Sequence, residues 1–415
     1  MSESAATFPL LILLLGVLIV ITILIRSGLK KMGLPSLVGF MALGLLIKLV
    51  DVQTEFFSGD VITIFEFLAD LGIIVLLFRV GLESNLKGLL NQIRHASIIW
   101  VGNIVFSGIL GFVVAQSLLG LGLIPSLFIG VALTATSVGV SISVWQEEGK
   151  IKTKTGELLL DVAEMDDISG VILMALLLSV APVLKGGVSP SPGDIFSKTV
   201  GILFLKLILF GILCFLFSQY VEKPITNFFG KLKKSPDPLL MVTGFGIIIA
   251  AIAGLLGFSL AMGAFFAGLV FSRDPKAVKL DSSFGVLYDF LVPFFFIGIG
   301  LNVGLKGLNS VLGLGAILFV IAVVGKLIGN GVFSLKITGW MSATLISVSM
   351  VPRAEIAMVI MQRGHQLGNW AVSDEVFSAM VLVSLGTCVF SPVVLRFFLK
   401  RFARMKKQEK NSNSK

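Results

Sequence analysis

The sequence predicts an all-α polytopic membrane protein of about thirteen transmembrane helices, and three observations carry that expectation. Of 415 residues, 56% are hydrophobic and 14% charged, against about 25% charged in a soluble domain. Apolar windows approaching the ~20 residues that cross a bilayer recur along the whole chain. Basic residues gather in every second connector between those windows, as the positive-inside rule requires.

The first window, 8–25, has no basic residue before it and Arg26, Lys30 and Lys31 directly after it. A cleaved secretory signal carries the reverse order, so this window reads as a true first span. It is followed by 34–50, 63–83, 96–119, 124–145, 155–184 and 196–221. The second half supplies 239–257, 259–273, 284–304, 310–335, 343–363 and 376–399. Windows 34–50 and 259–273 are the shortest and suit tilted or half-buried spans.

With the amino terminus outside, the cytoplasmic connectors hold Arg26/Lys30/Lys31, Lys87/Arg94, Lys150/Lys152/Lys154, Lys223/Lys231/Lys233/Lys234, Arg273/Lys276/Lys279 and Lys336, then the basic tail. The other side holds Lys185, Lys198, Lys306 and Arg363, with Lys48 at a span edge. Adding or losing one span would scramble that segregation, so the carboxyl terminus is expected in the cytoplasm. Residues 1–404 read as a single membrane domain and 405–415 as a short basic tail.

Several function classes fall away. Cys214, Cys388, His95 and His365 are too far apart in sequence to form a recognisable metal or disulfide framework, and both cysteines read as packing residues. The net charge of +9 sits in connectors and tail, where topology accounts for it, so no nucleic-acid partner is expected. No P-loop, dinucleotide fingerprint or EF-hand loop occurs, so no cofactor is expected and any driven flux draws on an ion gradient.

The chemistry is concentrated in a few charges inside the windows. Asp166 and Asp167 stand together in AEMDDISG, where an idle carboxylate costs about 2.5–3.5 kcal/mol and marks an ion or proton site. Adjacent helical residues point about 100° apart, so one can pair while its neighbour faces elsewhere. Lys326 lies mid-window between Gly325 and Gly329, small residues that permit close helix approach. An ion pair between Lys326 and Asp166 that breaks when a cation arrives would make the lysine a second proton carrier. Arg353 and Glu355 follow Pro352, which removes an amide donor and breaks the helix at membrane depth. That pair is expected to stabilise the broken segment through ion pairs.

The fifth window carries Thr134, Thr136, Ser137, Gly139, Ser141 and Ser143, a second candidate interruption. Asp161 and Glu164 lie toward the cytoplasm on the Asp-Asp span, as an acidic funnel or a solvated face. Arg79 can snorkel, and Lys206 is open between lipid-facing snorkeller and partner of Asp289.

Seven blocks in order, LLFRVGLE, LTATSVGV, AEMDDISG, MGAFFAGLVFS, PFFFIGIGL, GKLIG and PRAE, resemble the signatures of the second class of monovalent cation:proton antiporters. The resemblance implies inverted repeats with two unwound, crossing helices. It implies a core bundle at 96–184 and 310–399, a dimerisation scaffold at 8–83 and 239–304, and a linker helix at 196–221. It makes Asp167 the principal cation and proton carboxylate and Asp166 the partner of Lys326. Thr136 and Ser137 then line the crossing, braced by Arg353 and Glu355. Relatives with two aspartates and the lysine resemble electrogenic sodium/proton exchangers, whereas potassium-efflux relatives typically carry Gln-Asp and a large nucleotide-binding domain. This sequence has the former pair and shows no such domain. Arg79 and Glu164 depart from the pattern.

The expected activity is sodium or lithium exchange for protons, by a homodimer in a bacterial inner membrane. Potassium/proton exchange on the same fold is the alternative, and a sodium-coupled symporter or channel the next. An enzyme is not expected, because adjacent aspartates on one helix cannot face each other as an aspartyl dyad does.

Overall fold

The computed structural model describes residues 3–54, 59–83, 86–186, 201–221, 224, 238–256, 258–272, 275–304 and 308–412. The connectors carrying Lys198, Lys223, Lys231, Lys233 and Lys234, and residues Arg273 and Lys306, lie outside the described residues. The described chain is helical throughout, with no strand.

Helices α1 (Glu3–Lys31), α2 (Ser36–Thr54) and α3 (Gly59–Glu83) open the chain. Next come α4 (Leu86–Val113), α5 (Leu123–Thr134), α6 (Val138–Glu147) and α7 (Lys154–Lys185). They are followed by α8 (Gly201–Leu216), α9 (Pro238–Leu255), α10 (Leu260–Phe271) and α11 (Pro275–Leu301). The chain closes with α12 (Leu308–Thr338), α13 (Trp340–Ser349), α14 (Glu355–Gln366) and α15 (Asp374–Ser412). Eight segments among the described residues are long and apolar enough to cross a bilayer, the interrupted stretch Leu123–Glu147 counting as one, and four shorter apolar helices accompany them. The short window 259–273 becomes the twelve-residue α10. Residues 405–412, expected as a polar tail, extend α15 as helix.

The helices pack in two sets. In one, α2, α3, α9, α10 and α11 contact each other, with α1 on α2 and α8 on α10. In the other, α4, α5, α7, α12, α13, α14 and α15 form a bundle that includes α6. The sets meet sparsely, through α15 against α2 and α10 against α7.

Glycine pairs bring the first set together. A Cβ on Gly44 would lie 2.0 Å from the carbonyl oxygen of Ile297, and one on Gly300 would lie 2.2 Å from that of Met41. Backbones therefore touch along α2 and α11, an approach only glycine permits. In the second set, a Cβ on Gly329 would lie 3.0 Å from the carbonyl oxygen of Gly102, so α12 lies close against α4 and carries Lys326 inward.

Among the described residues the backbone leaves helical geometry at two places inside apolar stretches. Between α5 and α6 the backbone turns extended at Ala135 (φ −64°, ψ 148°) and leaves helical geometry at Ser137 (φ −97°, ψ 79°). Between α13 and α14 it leaves the helix across 350–354, with Ala354 at φ −142°, ψ −92°. Pro352 has no amide to give a helix there. The two interruptions touch: the Ser137 amide donates to the Pro352 carbonyl at 2.8 Å.

Candidate functional site

The site is built where the two interruptions meet α4, α7 and α12. Lys326 is fully buried (0% exposed) and Asp166 almost so (1%). Their charged atoms stand 3.0 Å apart. The ammonium also donates to the Thr134 carbonyl and to Thr136 Oγ1, each at 2.6 Å. Three donors thus meet three acceptors, and the ending of α5 at Thr134 supplies one of them as a freed carbonyl.

Asp166 is surrounded by donors. Thr136 Oγ1 donates to its Oδ2 at 2.6 Å, and Asn103 Nδ2 stands 2.6 and 2.7 Å from its two oxygens. Asn103 Oδ1 accepts from Ser107 Oγ at 3.2 Å and from Asn330 Nδ2 at 3.3 Å, which fixes the amide's orientation. Burial of a charge requires such a full complement, since an unpaired buried ion costs several kcal/mol. Asp167 follows one residue on, about 100° around α7, and is only part-buried. Asp161 and Glu164 are also part-buried, and with Asp167 they recur every three residues along one side of α7.

Arg353 does its work differently from the sequence expectation. Its fully buried guanidinium donates to the carbonyls of Met350 (3.1 Å) and Val351 (2.8 Å) in the interruption and of Ala322 (3.2 Å) on α12. The Met350 and Val351 carbonyls lie just past the end of α13 and the fork satisfies them beside the Ala322 carbonyl of α12, where ion pairs were expected. Thr387 and Ser384 on α15 hold the same residue's main chain, at 3.1 and 2.6 Å. Glu355 accepts the Ser137 hydroxyl, joining the start of α14 to the other interruption. Ser141 and Trp145 on α6 reach Ser349, at its carbonyl (2.7 Å) and hydroxyl (2.9 Å), joining α6 to the end of α13.

Outside the site, Asp289 pairs with Arg26, so the reading of Asp289 as partner of Lys206 gives way; Lys206 donates to the Leu256 carbonyl at 3.3 Å. Arg79 lies 4.5 Å over the Tyr288 ring, a cation–π contact that holds its charge at the edge of α3. Asp70 on α3 and Arg363 on α14 form a 3.0 Å ion pair that spans the two helix sets.

Sequence reasoning missed Asn103 and Asn330. Both are visible as lone amides in apolar windows, Asn330 four residues after Lys326 and therefore on its face, but neither carries a charge to mark it.

The chain is 28% identical over 336 residues to the high-affinity Na+/H+ antiporter NhaS3 of Synechocystis, covering 79% of this chain and 70% of that protein. It is 29% identical over 371 residues to the Na+/H+-K+ antiporter GerN of Bacillus cereus, covering 88% and 90%. The fold matches the sodium proton antiporter MjNhaP1 of Methanocaldococcus jannaschii with a TM-score of 0.63 at 14% identity, over 94% of this chain and 96% of that one. The family model for the transmembrane sodium/hydrogen exchanger matches residues 16–401, nearly the whole membrane chain, and the protein belongs to that family.

Proposed function

We propose that this protein exchanges sodium or lithium for protons by alternating access, with Asp166, Asp167 and Lys326 as the exchanging set. The observation that carries the reading is the fully buried Lys326–Asp166 ion pair at a crossing of two interrupted helices. The names of the relatives and the family match support the same activity.

Two neighbouring carboxylates divide the work by exposure. Asp166 is enclosed by donors, whereas part-buried Asp167 is the group a cation can reach. A protonated carboxylate cannot ligate a cation, so protons and sodium compete, and apparent sodium affinity weakens as pH falls. Freed carbonyls and hydroxyls between the short helices, those of Thr136 and Ser137 among them, supply the neutral oxygens that complete a sodium shell. If Lys326 gives up its proton when sodium arrives, two protons move per sodium and the exchange is electrogenic.

The proposed architecture is thirteen spans, with each interrupted pair, α5/α6 and α13/α14, counted as one. The amino terminus lies outside and the carboxyl terminus in the cytoplasm, at a bacterial inner membrane. The bundle of α4–α7 and α12–α15 is the moving core, its two halves inverted repeats, α8 is the linker, and the remaining helices form a scaffold through which two copies dimerise. Sparse contact between the sets, and an Asp70–Arg363 ion pair across them, suit relative motion. Potassium/proton exchange is the second reading, favoured by the name of the Bacillus cereus relative.

Reconstitution in liposomes with an internal pH dye tests the proposal. Addition of sodium or lithium is expected to move protons in the wild type and to fail in Asp167→Asn. A response to potassium alone would replace sodium as the substrate.

A further inference from the structure

Polar side chains recur every four residues along the second half of α12: Lys326, Asn330, Ser334 and Thr338. Residues four apart share a helix face, so the stripe runs about 18 Å from the ion pair to the last residue of α12. Lys326, Asn330 and Ser334 are each 0% exposed, while Thr338 is part-exposed at the mouth.

Two oxygens on this stripe, Asn330 Oδ1 and Ser334 Oγ, are buried without a hydrogen-bond partner among the described residues. Asn330 spends its amide hydrogens elsewhere, on Asn103 Oδ1 at 3.3 Å and the Lys326 carbonyl at 3.2 Å, leaving its oxygen as a pure acceptor. Thr338 donates to the Ser334 carbonyl at 2.9 Å, which leaves the Ser334 hydroxyl itself unused. Native proteins satisfy such buried atoms with ordered water, and each left dry is costly. Two on consecutive turns of one face mark a place built for water.

The stripe differs in chemistry from the acidic side of α7. Asp161, Glu164 and Asp167 present carboxylates that attract a cation. Along α12 the groups are neutral, and the inner end is closed by the Lys326 ammonium, which repels any arriving metal ion. Water can relay a proton through such a line without a cation following it.

We propose that Asn330 and Ser334 hold a short file of water that carries protons between the Thr338 end of α12 and the Asp166–Lys326 pair, apart from the cation's approach along α7. The proposal rests on the exchange reading above, which turns that end of α12 to the cytoplasm. In each relay step one O–H bond forms as one breaks: the Ser334 hydroxyl accepts a proton from one water and passes its own to the next. The water on Asn330 Oδ1 hands a proton onward, and the amide keeps its own hydrogens.

The test compares two transport modes of the reconstituted protein. Sodium-for-proton exchange is read by pH dye, and sodium-for-sodium exchange by radioactive sodium tracer, a mode that needs no proton to move. Ser334→Val is expected to slow proton-coupled exchange about fivefold or more, the size of one lost buried hydrogen bond, with tracer exchange preserved. Ser334→Ala, which adds no bulk, should act in the same direction, and Ser334→Thr should restore the rate. Equal slowing of both modes, or proton-coupled exchange untouched in the valine and alanine variants, overturns the proposal. Wild type that exchanges tracer sodium but never protons would instead bring down the exchange reading itself.

Discussion

The Thr136 hydroxyl stands between Lys326 and Asp166, accepting from Nζ at 2.6 Å and donating to Oδ2 at 2.6 Å. It therefore links the two charges a second time, beside their direct 3.0 Å contact. Only a residue released from the helix after Thr134 can turn its side chain into that gap, so the interruption and the ion pair are one construction.

Thr136→Val keeps the shape and removes both bonds. Loss of a hydrogen bond to a charged group costs about 1.5–3 kcal/mol, so sodium-driven proton transport should fall about tenfold or more. Thr136→Ser should retain most of it. Initial rates in liposomes, scaled to the amount of reconstituted protein, decide the matter.

Asn103→Leu leaves the Asp166 carboxylate without the donor that spans both oxygens. The expected result is a loss of about 2 kcal/mol of stability, the usual cost of stripping a donor from a buried charge. Thermal unfolding in detergent reads it as a lowered midpoint, with Asn103→Ser falling between the leucine variant and wild type.

Arg353→Lys keeps a positive charge and loses the planar fork that reaches Met350, Val351 and Ala322 together. Lysine cannot reproduce that geometry, so the variant should be destabilised by about 2–4 kcal/mol. A lowered unfolding midpoint, with transport lost in proportion to folded protein, is the expected pattern.

Arg363→Gln breaks the ion pair to Asp70, whose side chain is 40% exposed. Water screens such a pair, so stability should change by less than about 1 kcal/mol. If the two helix sets slide against each other during transport, the rate should change more than the unfolding midpoint does.

Much of this was legible in the sequence because lipid makes charge expensive. Asp166, Lys326 and Arg353 stood out as ions in apolar windows, and Pro352 as a residue with no amide to give a helix. The ion pair between Asp166 and Lys326 was an expectation from residue type, and the structure puts the two 3.0 Å apart. What stayed hidden was neutral. Asn103 and Asn330 carry no charge to betray them, and a lone amide in an apolar helix is also common packing. The role of Arg353 was hidden for a related reason: a sequence displays other charges as partners and conceals the carbonyls that a broken helix sets free. The extension of α15 to Ser412 escaped notice because a polar, basic stretch can continue a helix that apolar residues began.

The direct measurement of the central claim is proton release from purified, weakly buffered protein in detergent as sodium is added, followed with a pH dye. Wild type is predicted to release protons saturably with sodium, and Asp167→Asn to release none. Undiminished release from Asp167→Asn would contradict the account, because sodium would then be displacing protons from somewhere other than this pair of aspartates.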